Sequence, residues 1–170
     1  MLRAFLQICI ASLLFTHSGC ISYTYIVRHA EKGPGHDPDL LPAGEDRAAT
    51  LAQLMKTNGI QEIYSTDLNR TRQTAQPAAD SLGLNIFFYS NDTLQAFVDQ
   101  RLMSFGKKRL VVGHSNTILT IASSLGTSPT LTLIPEDDYD NLLIVKRSRF
   151  LNNLTVTLTE TTYGALSPSE

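Results

Sequence analysis

The sequence predicts an α/β protein, a three-layer α/β/α sandwich around a mostly parallel central sheet, and three features of its 170 residues carry that prediction. Short runs rich in β-branched and aromatic residues alternate with longer segments of helical periodicity, the pattern of strands joined by crossover helices. The helical segments are amphipathic, so each covers a sheet face with one side and meets water with the other. Apolar residues make up 42% of the chain, enough for the core of one domain at this length.

In chain order, the first segment stands apart. Arg3 is a lone positive charge, an apolar run from Ala4 to Phe15 is broken only by Gln7 and Ser12, and small residues follow at Ser18-Gly19-Cys20. This predicts a signal peptide over 1-19, a domain over 20-170, and an exported protein that is periplasmic, envelope-bound or secreted. The run is shorter than the ~20 residues of a spanning helix. Ser18-Gly19-Cys20 resembles the end of a bacterial lipobox, with His17 where an aliphatic residue is preferred, so membrane attachment through a lipidated Cys20 and simple cleavage both stand. Cys9 and Cys20 are the only cysteines. A chain cut after Ser18 or Gly19 keeps at most one thiol, which excludes an internal disulfide and cysteine catalysis.

Strands are expected over Ser22 to Val27, Ile60 to Tyr64, Asn85 to Tyr89 and Arg109 to Val112, with closing strands over Leu142 to Lys146 and Leu154 to Leu158. Between them, Ala48, Leu51, Leu54 and Met55 form a helical stripe that ends at Asn58-Gly59. Leu94, Phe97, Val98 and Leu102 form another, opened by Asp92 with Gln95 three residues on. Ile118, Leu119, Ile121, Ala122 and Leu125 continue the pattern to Gly126, Pro77 should kink or interrupt a helix beginning near Asn69, and the tail from Gly164 looks frayed.

A net charge of -2 without any run of Lys or Arg leaves no electrostatic footprint for nucleic acid. Arginines that matter must therefore act locally. Arg28-His29 follows the first strand, Ser65 to Arg70 the second, and Gly113-His114-Ser115 the fourth. Loops at the carboxyl ends of parallel strands converge on one crevice, so these residues meet there. Two guanidiniums and two imidazoles suit a phosphoryl group, because a guanidinium pairs with phosphate oxygens and stays charged at any working pH. The first turn of the helix near Asn69 adds donors. Neutral His29 is the nucleophile, kept unprotonated by the flanking arginines, and His114 is a donor if it is protonated beside the phosphate. Arg72 is rotated about 200° from Arg70 on a helix and is read as a surface residue. His36, in the turn-rich Gly33-Pro34-Gly35-His36-Asp37-Pro38, is also read as surface, and no His or Cys spacing supports a metal site. Glu136, Asp137, Asp138 and Asp140 read as a solvated loop that also has access to the pocket edge. Ser115 lacks the second glycine of a nucleophile elbow, against a serine hydrolase.

Arg28-His29-Ala30-Glu31-Lys32 resembles the opening motif of the histidine phosphatase (phosphoglycerate mutase-like) superfamily in its short Arg-His-Ala form. Ser65-Thr66-Asp67-Leu68-Asn69-Arg70 and the residues to Ala75 are similar to the second block of that superfamily, and Gly113-His114-Ser115 to the block with its second histidine. The resemblance runs in order from about Tyr23 to Val145. It implies that His29 becomes phosphohistidine with Arg28, Arg70 and His114 around the transferred group, and that no metal or organic cofactor is needed. Many members carry a glutamate after the third strand that protonates the leaving oxygen and later activates water. Here 39 positions separate Ala75 from His114 without one glutamate between them. Asp92 is the candidate acid, with helix capping as its other role, and Glu31 is the alternative. So short a middle section leaves no large cap domain and an open pocket, which favours hydrolysis over a mutase. The expected activity is that of a phosphatase on phosphomonoesters, whether a sugar, a small monoester or a phosphoprotein. The rival is a non-catalytic phosphate-binding or envelope interaction module that keeps the pocket without the acid.

Overall fold

A computed structural model describes residues 20–167, so the leader expected over 1–19 lies outside the described residues. Cys20 is exposed and opens the first strand. The strands are β1 (Cys20–Arg28), β2 (Glu62–Thr66), β3 (Ile86–Tyr89), β4 (Lys108–Gly113), β5 (Asn141–Phe150) and β6 (Asn153–Thr162). They form one six-stranded sheet in the order β3-β2-β4-β1-β5-β6. The pairs β2–β3, β2–β4 and β1–β4 are parallel, whereas β5 pairs antiparallel with β1 and β6.

Alternate residues of the inner strands feed two separate cores, which makes the molecule three-layered. On one face Tyr25, Val27, Ile63 and Val112 pack against α1 (Pro42–Asn58) and α2 (Asn69–Leu82) through Leu51, Met55, Ala75 and Ala78. On the other Ile26, Tyr64, Val111 and Val145 meet Phe97, Val98 and Leu102 and the helix α4 (Ile118–Ser124).

The boundaries shift where capping chemistry intervenes. Ile60 stays in the helix-terminating turn of α1, its amide donating to the Met55 carbonyl after left-handed Gly59, so β2 begins at Glu62 and takes in Ser65 and Thr66. Helix α1 starts at Pro42, earlier than the apolar stripe suggests, because proline fits the first helical position. Helix α2 runs through Pro77 without a break, since Thr74, Ala75, Ala78 and Ala79 are buried on both sides of it and tertiary packing holds them in one helix. After β3 the chain turns at extended Ser90, whose hydroxyl accepts from the Asp92 amide. The 3-10 turn Asn91–Thr93, α3 (Leu94–Phe97) and a π turn Val98–Leu102 follow on, so the cap is Ser90 and Asp92 lies within the first turn. The C-terminal segment is tied down rather than frayed up to Ser167. Arg47 donates to the Tyr163 and Ala165 carbonyls, and Ser167 bonds both Asp140 and the Tyr139 amide.

Candidate active site

Parallel pairing of β1 with β4 places Arg28 opposite Gly113, and the His29 amide donates to the Gly113 carbonyl at 2.9 Å. The two histidine-bearing turns are thus locked side by side. Gly113 leaves no room for a side chain, because a Cβ there would sit 2.9 Å from the Tyr89 hydroxyl and 3.0 Å from Thr117 Oγ1. The Ala30 amide donates to Thr74 Oγ1 on α2, and the methyl of Ala30 is fully buried beside Leu40 and Ala48. The turn ahead of α4 is closed by the Thr117 hydroxyl, which accepts from the His114 amide. The ring centroids of His29 and His114 are 5.6 Å apart.

These strand ends surround an open cavity of about 440 Å³. Arg28, His29, Arg70 and His114 all line it, together with Lys32, Asn91, Ser115, Asn116 and Glu136. Arg28 and His29 are 2% and 3% exposed, so their charge states are set by the protein and not by water. Neither Arg28 Nε nor Arg70 Nε, both buried, has a hydrogen-bond acceptor among the described residues. A tetrahedral oxyanion in the cavity supplies acceptors for such donors.

The nucleophile's tautomer follows from one contact. His29 Nδ1 lies 2.8 Å from the Ala30 carbonyl, which can only accept, so Nδ1 carries the hydrogen and Nε2 the lone pair. Burial, opposed by that hydrogen bond and reinforced by the charges of Arg28, His114 and Arg70, pushes the His29 pKa down to about 3. Burial, with Arg70 and Arg28, brings His114 down to about 4. His114 is therefore neutral in the free protein, and its Nε2 lies 2.9 Å from Thr66 Oγ1. Both rings bind protons more readily unfolded, at the ordinary 6.5, so folding stability should fall as pH drops from about 6.5 toward 4. Thermal melts at successive pH values check this, and a His29→Asn, His114→Asn double variant should show a flatter slope over that window.

The remaining sequence candidates separate cleanly. Arg72 bonds Asp67 and Asn69 and is half exposed, away from the cavity. His36 is exposed, and its carbonyl accepts from Arg70 at 3.4 Å. Asp37 of the same loop accepts from the Asn69 amide, so that first-turn donor of α2 is already used. Asp92 is exposed and is not among the cavity walls, which take its neighbour Asn91 instead. Glu31 is gripped by Arg47 through bonds of 2.7 to 3.0 Å. Burial works against its charge, yet the guanidinium outweighs it and holds the carboxyl below its usual range, a poor proton donor. Among the described residues no cluster of His, Cys, Asp or Glu has the makings of a metal site.

Sequence reasoning did not single out Thr66 or Tyr139. The Tyr139 ring lies 4.4 Å from the Arg28 guanidinium and 5.9 Å from the His29 ring. Nothing local marks either residue, since Thr66 reads as part of a loop and Tyr139 depends on β5 lying beside β1.

Residues 24–91 match the model of the histidine phosphatase superfamily, branch 1. Over 75 residues the chain is 39% identical to a protein named "Probable phosphoglycerate mutase GpmB" of Escherichia coli (strain K12 / DH10B), covering 39% of this chain and 34% of that protein. The chain thus spans about a third of the length of the curated relatives it matches. Among solved structures it is similar to mycobacterial glucosyl-3-phosphoglycerate phosphatase, with a TM-score of 0.61, 13% identity, and coverage of 81% of this chain and 97% of the other. It is also similar to the protein histidine phosphatase SixA complexed with tungstate, with a TM-score of 0.57, 17% identity, and coverage of 82% and 96%. At such identities the structural likeness establishes the fold, an α/β sandwich without a large cap domain.

Proposed function

We propose, from the match of residues 24–91 to the histidine phosphatase superfamily, that this chain hydrolyses phosphomonoesters through a phosphohistidine intermediate on His29. One observation carries the reading: a neutral imidazole with its lone pair on Nε2 shares a cavity with the guanidiniums of buried Arg28 and half-buried Arg70, whose Nε–H groups lack acceptors among the described residues. The phosphoryl oxygens satisfy those donors, while Nε2 attacks phosphorus in line with the departing oxygen. The N–P bond forms as the P–O bond breaks. Water then attacks the phosphohistidine, and the electron pair of the N–P bond returns to His29. His114 bonds the bound group by taking up a proton, which the approach of a dianion favours.

An open cavity with few walls gives water access to the intermediate, which supports hydrolysis over mutase chemistry. The names of two proteins of similar fold, a protein histidine phosphatase and a glucosyl-3-phosphoglycerate phosphatase, support a phosphorylated protein or a small phosphomonoester as the class of substrate. We also propose, from the leader expected over 1–19, that the reaction takes place outside the cytoplasm. The test is to quench the enzyme during turnover of a labelled monoester with chelator present. An acid-labile, alkali-stable phosphoryl group on the His29 peptide is expected. Turnover that chelator abolishes, without label on His29, would overturn the proposal.

A further inference from the structure

Building on the phosphatase reading, we propose that Glu136 is the proton donor and acceptor of the reaction. Among the described residues it is the one carboxylate that lines the cavity of His29, Arg28, Arg70 and His114. The carboxyls nearer in sequence are placed elsewhere, Asp92 outside the cavity walls and Glu31 in the grip of Arg47.

Its position is fixed by the arginine next to the nucleophile. Arg28 Nη1 donates to the Pro135 carbonyl at 2.7 Å and to the Asp138 carbonyl at 3.0 Å, so one guanidinium holds the backbone on both sides of Glu136. The Asp138 amide closes the turn onto Pro135, and the Tyr139 amide is bonded to Ser167. The carboxyl therefore hangs from a braced loop, as proton transfer at a set distance requires. A permanently bare carboxylate there repels the phosphoryl oxygens, whereas a carboxyl that cycles its proton serves both half-reactions. In the first, the P–O bond breaks and the leaving oxygen takes the Glu136 proton as His29 Nε2 bonds phosphorus. In the second, the Glu136 carboxylate removes a proton from water as the new P–O bond forms and the N–P pair returns to His29.

The test compares two substrates. Beta-glycerophosphate releases an alkoxide that needs a proton, and p-nitrophenyl phosphate releases a stable phenolate that does not. Glu136→Gln should lower kcat about 100-fold or more on the first and less than about tenfold on the second. Asp137→Asn removes the same charge one residue along, outside the cavity walls, and should change both by less than about twofold. Equal losses on the two substrates in E136Q, or none, would overturn the role of Glu136 alone. Turnover that survives in His29→Ala would instead defeat the phosphatase reading, and this assignment with it.

Discussion

Alanine at position 29 should lower kcat/KM for p-nitrophenyl phosphate by about 10⁴-fold while leaving the protein folded. The loss is large because the arginines and His114 stabilise a phosphoryl group but none of them offers an unprotonated nitrogen at phosphorus. The fold tolerates the change because, among the described residues, the hydrogen bond of the His29 ring is to the carbonyl of its own neighbour, Ala30. Removing the ring also leaves both guanidiniums in place, so inorganic phosphate should still bind His29→Ala in calorimetry. Steady-state kinetics with a matched melting curve make the measurement, and a loss below about tenfold would show that His29 is not the nucleophile.

Arg47→Ala should destabilise the domain by about 3–5 kcal/mol, read from urea unfolding. The side chain is 2% exposed and sits where three segments meet. It forks onto both oxygens of Glu31 and donates to the carbonyls of Tyr163 and Ala165. Truncation strands a half-buried carboxylate and two carbonyls, and the unpaired charge is the costly part. Arg47→Lys should recover only part of the loss, because an ammonium cannot form the fork. The damage should also reach activity, since the C-terminal segment that Arg47 anchors braces the loop of Tyr139 and Glu136 through Ser167. Destabilisation of less than about 1 kcal/mol would mean that the ion pair is not a structural tie.

The inner strands were legible as short apolar runs because a strand buried on both faces needs little else, and capping shifted the ends of β2, whereas β5 and β6 each run ten residues, twice the length of the apolar runs that mark them. Gly59 held Ile60 in a turn, and Ser90 took the capping role that the spacing of Asp92 and Gln95 had suggested. Arg28, His29, Arg70 and His114 could be read from their places after strands, since β-strand geometry delivers such loops to one edge of the sheet. Glu136 was legible only as one of four acidic residues with access to the pocket edge, and Tyr139 not at all, because both precede β5 and are brought to the nucleophile's strand by the antiparallel pairing of β5 with β1. Glu31 looked available from its nearness to His29 until Arg47, 16 positions away, was found to hold it.

The sequence by itself determined the alternation of strands and helices, the polar residues at the strand ends and the chemistry those side chains support, because these depend on local pattern and residue type. Tertiary structure alone decided which carboxylate lines the cavity, which nitrogen of His29 is free and that His114 is neutral in the free protein. Those properties arise from burial and from partners distant in the chain, whose meeting no local periodicity encodes.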